Sequence, residues 1–217
     1  MKRILLIGAT GFIGRHVRTR ATAAGFEVVA ASRAAGPGDL RLDLAAGPVS
    51  VAAAVREFAP DAVVNCAGAT RGEPADLVHG NVMAVANLVT ALASAAPEAR
   101  LVHLGSAAEY GNAEPGTPIT ESAPPRPLGV YGVTKLAGTE LVRAAAGLDT
   151  VVLRVFNPVG PGSPCPTPRP TGLNTRSTTV SRPAAARTRS APPLLHIPDP
   201  TRRPPTSLAD FYLYTKK

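Results

Sequence analysis

Apolar positions along the first 157 residues fall into two alternating patterns. Short, mostly β-branched runs at Arg3–Ile7, Glu27–Ala31, Leu40–Asp43, Ala62–Cys66, Arg100–Ser106 and Thr150–Phe156 predict strands. Most of them are continuous rather than alternating, as in strands covered on both faces. Alanine-rich stretches at 11–24, 49–58, 78–95 and 131–146 predict helices between them. Gly25 and Gly147 stand where a helix C-terminus favours glycine. Strand-helix-strand alternation with right-handed crossovers makes an α/β fold, a doubly wound parallel sheet. No uninterrupted apolar run approaches the roughly 18 residues of a membrane span, so a membrane protein is not expected.

The pattern ends after Gly162. Prolines at 164, 166, 168 and 170 forbid helix and weaken any strand, and Ser, Thr, Arg and Pro dominate onward to residue 206. Only Ser207–Tyr214 has the composition of a short ordered piece. The expectation is one folded domain over 1–162 and a disordered, proline-rich tail over 163–217.

Charge divides at the same place. The net charge is +8, but residues 1–157 hold 14 Lys+Arg against 13 Asp+Glu, while 158–217 hold 9 against 2. The basic balance belongs to the tail, and no aromatic residue is interleaved among Arg169–Arg203, so nucleic-acid binding is disfavoured. Cys66 and Cys165 make no disulfide framework, and His16, His79, His103 and His196 lack metal-ligand spacing. A reducing, cytoplasmic compartment is the expectation.

Candidate chemistry begins at Gly8-Ala9-Thr10-Gly11-Phe12-Ile13-Gly14, between the first strand and the first helix. Small residues are needed for the tight turn at Gly8, for a pyrophosphate to approach the backbone at Gly11, and for close helix-sheet packing at Gly14. Thr10, Phe12 and Ile13 supply backbone N–H groups at the positive end of the helix. The arrangement predicts a dinucleotide site. The tip of the second strand reads Ser32-Arg33, with no acid to hold a ribose 2′-hydroxyl. Arg33 therefore points to NADP over NAD. Asp43-Leu44 after the third strand are candidates for adenine contacts. Ala67 and Gly68 after the fourth are small where the backbone passes a cofactor. Cys66 reads as a buried small residue rather than a reactive thiol.

Tyr131-Gly132-Val133-Thr134-Lys135 places a phenol and an ammonium on one helix face. The ammonium favours the phenolate, which makes Tyr131 a candidate proton donor and acceptor. Ser106, ending the fifth strand, adds a hydroxyl for a reacting carbonyl or alkoxide oxygen.

Taken together, Gly8–Gly14, Asn65-Cys66-Ala67-Gly68, Asn81-Val82, Ser106–Gly111, Tyr131–Lys135 and Arg154–Gly162 resemble the extended short-chain dehydrogenase/reductase family. These are the NAD(P)-dependent epimerases, dehydratases and reductases of nucleotide sugars. The resemblance covers about the first 162 residues. It implies that Tyr131 is the acid/base residue, that Lys135 holds the nicotinamide ribose, and that Ser106 orients the substrate oxygen. It also implies hydride transfer at a sugar carbon, typically C4, with Asn157 against the sugar nucleotide. Asn81 lies near the nicotinamide or is a packing residue, at even odds. A homodimer through the 78–95 and 131–146 helices is implied as well.

Two departures narrow the picture. Family dehydratases carry an Asp-Glu pair directly after the Ser/Thr, where this chain has Ala107-Ala108, so a 4,6-dehydratase is disfavoured. A 4-ketoreductase and a C4 epimerase stay open. Family members also continue well beyond the position of Gly162 into a substrate-binding domain. The abrupt change of composition there is what a shifted reading frame in a GC-rich coding sequence produces. A module that binds dinucleotide without turnover is thus the alternative to an enzyme.

Overall fold

The computed structural model describes residues 2–112, 118–158 and 160–162, and the backbone of 179–181. Ser207–Tyr214, Cys165 and the rest of the tail apart from 179–181 lie outside the described residues.

Seven strands form one sheet in the order β3-β2-β1-β4-β5-β6-β7. They are β1 (Arg3–Ile7), β2 (Glu27–Ser32), β3 (Leu40–Arg41), β4 (Ala62–Asn65), β5 (Arg100–Ser106), β6 (Thr150–Val155) and β7 (Thr179–Ser181). The first six are parallel, so the predicted doubly wound sheet is what the chain forms. Strand order reverses between β1 and β4, opening a crevice at their carboxyl ends, where ligands of such sheets bind. Within the tail, Thr179–Ser181 pairs antiparallel with Arg154–Val152 of β6. A three-residue Thr-Val-Ser run is too short to stand out from a Ser/Thr-rich background, and its pairing rests on backbone bonds to a distant strand.

The helices are α1 (Phe12–Ala23), α2 (Pro48–Phe58), α3 (Pro74–Val78), α4 (Ala84–Ala95) and α5 (Gly129–Ala144). A π-helical segment, His79–Met83, joins α3 to α4. The predicted 78–95 helix therefore begins earlier, at Pro74. Pro at the first helical position and reciprocal Glu73/Asp76 capping bonds are ordinary start signals that lie upstream of the apolar periodicity. By length and composition the continuous helix 74–95 would reach across a membrane. In this fold its Val85, Leu88, Ala91 and Leu92 are instead buried in the core.

Side-chain alternation sorts the strand residues into two layers. Leu5, Ile7, Val63, Leu101 and Val152 face a core shared with α2, α4 and α5. Ile4, Leu6, Val64, Val102, Leu104 and Leu153 face the other side, where α1 contributes Val17 and Ala21. On the α5 side the same rows turn polar toward the strand ends. Val63 gives way to Asn65, Leu101 to His103, and Val152 to Arg154, all three buried. This polar seam lies at the carboxyl edge of the sheet, under α5.

Candidate functional site

Helix α1 starts with Gly11 as its N-cap, with no side chain capping it and no acidic residue in its first turn. Its leading N–H groups thus keep their positive field free for an anion. Gly8 has φ +77, and a Cβ there would come within 2.7 Å of the Ala67 nitrogen. At Gly14 a Cβ would run into Gly8 O and lie 2.8 Å from Ala9 Cα. A methyl at Gly8 would press on the loop after β4, and one at Gly14 would push α1 off the turn, which is the reason glycine stands at both places. Gly11 is the open one, exposed toward the crevice. Thr10 is exposed beside it, while Phe12 and Ile13 are half-buried.

A cleft of about 430 Å³ continues from this turn toward β2, lined by residues that include Ala9, Thr10, Arg15, Arg18, Ala30, Ser32 and Asp39. Arg33 is exposed next to Ser32 but outside this lining. The cations that face the cleft are Arg15 and Arg18, and the acid is Asp39, which comes from the β2–β3 turn. Uncapped N–H groups, a glycine cradle and lining cations fit a dinucleotide phosphate. Behind the cleft the 160–162 segment closes over α1. Arg15 Nη2 donates to Gly162 O (3.1 Å), and His16 Nε2 lies 3.1 Å from Pro161 O.

Three predicted cofactor contacts also have partners inside the protein. Leu44 is buried in the core, and its carbonyl accepts from Asn87 Nδ2 (2.7 Å). Asp43 caps the 3₁₀ turn that follows, accepting the Ala45 N–H at 2.9 Å. Asn81 is 1% exposed, and its amide is spent inside the protein. It accepts from Ala69 N (2.9 Å) and donates to Ala69 O (2.9 Å) and Thr134 Oγ1 (3.1 Å). It therefore clamps the loop after β4 against α5. Ala67 and Gly68 sit in the clamped loop, with Gly68 exposed.

Ser106 and the Lys135 ammonium both lie at the end of β5. Ser106 is half-buried and opens a 3₁₀ turn, its Oγ accepting the Ala108 N–H (3.2 Å). Tyr131 is half-buried in the first turn of α5. Close approach of α5 is possible because Gly132 follows it: a Cβ there would stand 2.6 Å from Ala108 O. Gly138 serves the same purpose further along, against Asn81 O. Lys135 is buried, and its Nζ donates to Leu104 O (2.6 Å), two residues before Ser106. Burial lowers the Lys135 pKa, with Glu109 and Cys66 pulling it back up. Cys66 itself is half-buried against the α1-side core. Asn157, beyond β6, is exposed.

Beneath Ser106 lies a network the sequence reading did not single out. Glu109, fully buried, accepts from Ser106 N (2.8 Å), Thr139 Oγ1 (2.9 Å) and Arg154 Nε (2.7 Å). Gly105 makes room for it, since a Cβ there would come within 2.6 Å of Glu109 Oε1. The Arg154 guanidinium also lies 4.6 Å from the Tyr110 ring centroid. Burial would lower its pKa, but Tyr110 and Glu109 outweigh that and hold it above the ordinary value, so the cation persists. Two signals were present: Ser106-x-x-Glu109 is a capping box, and Arg154 interrupts an apolar strand. Next to them, His103 Nδ1 lies 3.2 Å from Asn65 Nδ2. Asn65 Oδ1 accepts from Ala67 N, which fixes the amide so that Nδ2 donates to the ring. Desolvation first, and the Lys135 charge second, hold His103 well below the usual imidazole pKa, so it stays neutral.

Among the described residues no group of His, Cys, Asp and Glu could hold a metal. The site offers a phosphate cradle, a polar cleft and a phenol-ammonium-hydroxyl set, arranged along one edge of the sheet. Comparison with known proteins identifies the family. The model of the NAD dependent epimerase/dehydratase family matches residues 4–188, running past Gly162 and through β7. A dTDP-6-deoxy-L-talose 4-dehydrogenase (NAD(P)(+)) of Kitasatospora kifunensis is 42% identical over 172 residues, 75% of this chain and 54% of that protein. A UDP-glucose 4-epimerase of Azospirillum brasilense is 33% identical over 176 residues, 73% of this chain and 49% of that one. Among solved structures, UDP-glucose 4-epimerase from Brucella ovis in complex with NAD superposes with a TM-score of 0.65 at 26% identity, over 72% of this chain and 52% of its own. The chain spans about half the length of the relatives it matches.

Proposed function

Because this chain belongs to the NAD dependent epimerase/dehydratase family, we propose that it binds NAD(P) at the Gly8–Gly14 turn and supplies the catalytic half of a nucleotide-sugar oxidoreductase or epimerase. The observation that carries this reading is the meeting of three parts at one sheet edge: the uncapped α1 N-terminus, Ser106 at the end of β5, and Lys135 anchored to Leu104 within one turn of Tyr131. The bound dinucleotide would exchange a hydride with the sugar, at C4 in this reading. The chain's own residues would do the rest. Ser106 Oγ donates to the substrate oxygen, Tyr131 Oη gives or takes its proton, and the Lys135 ammonium holds the nicotinamide ribose and favours the phenolate. Ala107 and Ala108 have no acid or base to offer, which leaves dehydration out and reduction or epimerisation in.

NADPH is the preferred partner in this reading, supported by Arg15 and Arg18 in the cleft, Arg33 beside it, and the lack of an acid at the β2 tip. The nucleotide sugar would approach over Ser106 and Asn157. Apolar Val78 and Met83 on the 74–95 helix, with Val130 and Val133 on α5, remain exposed and support self-association through these helices. Light scattering that gives a monomer mass at tens of micromolar would remove the dimer from the proposal.

The test is a titration of the 217-residue chain with NADPH and NADH, followed by turnover on dTDP-, GDP- and UDP-linked 4-keto and 4-hydroxy sugars. Tyr131→Phe should bind cofactor as the parent does and lose turnover by about 10²–10⁴-fold, the usual contribution of a positioned acid/base. A folded chain that binds neither dinucleotide would end the reading. The alternative is a module that binds cofactor without acting on any sugar. Saturable binding with no turnover on any sugar of the panel is the result that alternative predicts.

A further inference from the structure

The cleft beyond the glycine turn has one feature that neither strand tip nor motif announces. Arg18 of α1 and Asp39 of the β2–β3 turn face each other across it in a two-pronged ion pair, Nη2 to Oδ1 at 2.9 Å and Nη1 to Oδ2 at 3.3 Å. Both residues line the cleft together with Ser32 and Thr10. The Asp39 side chain is 18% exposed and that of Arg18 46%. The acid is the more buried partner, and its backbone is held by a turn in which Asp39 N donates to Gly36 O (3.0 Å). The carboxylate is therefore the fixed post and the guanidinium the movable arm.

We infer that this Arg18–Asp39 fork is the element that discriminates between a 2′-hydroxyl and a 2′-phosphate on the adenosine ribose, and that it lets the site take either. The inference rests on the dinucleotide reading above. With the fork closed, the Arg18 charge is neutralised, and Asp39 keeps acceptor capacity for a ribose hydroxyl. A carboxylate has about four lone-pair sites, and the fork uses two. With the fork opened, Arg18 can meet a 2′-phosphate with the planar, bidentate geometry that guanidinium and phosphate share. The acid beside it then repels the phosphate dianion. Arg15 and the exposed Arg33 add charge on either side but have no such opposed partner in the cleft. The preference for NADPH is thus set by how much binding is spent in pulling Arg18 away from Asp39. The acid usually sought at the end of β2 is delivered here from the following turn.

The experiment needs no turnover. The full chain and its Asp39→Asn and Arg18→Gln variants are titrated calorimetrically with NADPH and NADH. The same is done with 2′,5′-ADP and 5′-ADP, which occupy the adenosine half alone. Asp39→Asn should tighten NADPH and 2′,5′-ADP about tenfold while weakening NADH severalfold, as expected from a change in one charge-assisted bond. Arg18→Gln should weaken NADPH and 2′,5′-ADP about tenfold or more and change NADH less than threefold. Far-UV circular dichroism confirms that each variant is folded. Should Asp39→Asn not fold, Asp39→Glu serves in its place: a longer acid misaligned with Arg18 must alter the NADPH/NADH ratio. Binding of both dinucleotides with ratios unchanged in all variants overturns the fork's role and leaves the cofactor reading standing. A folded parent that binds none of the four ligands overturns both.

Discussion

The half of the sheet around β1, α1 and β2 and the half around β5, α5 and β6 reach their chemistry by opposite routes. The first is made of backbone and of missing side chains: Gly8 and Gly14 allow close packing, no side chain caps α1, and its charged pairs, such as Arg3–Glu27 and Arg18–Asp39, stay partly in solvent. The second is made of side chains taken out of water. Glu109, Arg154, Lys135, His103 and Asn65 are all buried, and each is held by a named partner. Anion binding asks only that nothing stand between the phosphate and the helix end. Proton transfer asks for a hydroxyl and a phenol in fixed positions, and here the fixing groups are polar. The first half should therefore be sensitive to atoms added, the second to partners removed.

The largest expected effect comes from removing Glu109. Glu109→Ala strands the Arg154 guanidinium, 1% exposed, without its counter-charge, and frees the Ser106 N–H and Thr139 hydroxyl as well. Breaking such a pair costs about 3–5 kcal/mol, read as a lower urea midpoint at unchanged m-value. Replacing both partners by Glu109→Leu with Arg154→Met should recover much of that loss, because the desolvation of two charges goes with them. A Glu109→Ala cost below about 1 kcal/mol, the range of an exposed pair, would erase the contrast between the halves.

Adding one carbon tests the other half. Gly14→Ala drives a methyl into Gly8 O and Ala9 Cα, both backbone and unable to yield cheaply. Overpacking of this kind costs about 1–3 kcal/mol, and because α1 must shift, dinucleotide affinity should fall with it. Gly36→Ala, on the rim of the same half, meets nothing nearer than Asp39 Oδ2 at 4.0 Å and should leave the melting temperature unchanged. Equal costs at the two glycines would mean that α1 is not pressed against the turn.

This contrast also explains what was legible in the sequence. The glycine turn announces itself because its residues are contiguous and their reason is local, and the six parallel strands follow from apolar runs that match the observed bounds closely. Tyr131 and Lys135 are readable for the same reason, being one helical turn apart. Glu109 and Arg154 are 45 residues apart and meet only because β6 lies beside β5 and Gly105 leaves a gap between them. Asp39 enters the cleft through the path of a loop, which has no periodicity to read. Leu44 joins the core beside α4, a placement that an apolar residue after a strand tip does not announce by itself. The three hydrogen bonds of Asn81 join residues 12 and 53 positions away and have no local signature either.

The smallest effect is the most specific to the buried half, and it depends on pH. His103 is kept neutral in the fold by desolvation and then by Lys135, and its Nδ1 accepts from Asn65. A proton on Nδ1 would set two donors against each other. In the unfolded chain the same imidazole titrates near its ordinary 6.5. Below that pH the unfolded state binds a proton that the native state refuses, so stability falls as pH falls. The limiting slope for one such group is about 1.4 kcal/mol per pH unit, and it flattens only where the native site itself protonates. Above pH 7.5 the group adds no slope. Urea midpoints at pH 8, 7, 6 and 5 should show this decline in the parent chain. His103→Asn places an Oδ1 acceptor where Nδ1 was; it should begin less stable at pH 8 and decline less steeply toward pH 5. Parallel declines would move the acid sensitivity to carboxylates elsewhere, and would mean that the buried seam tolerates a charge its geometry says it must exclude.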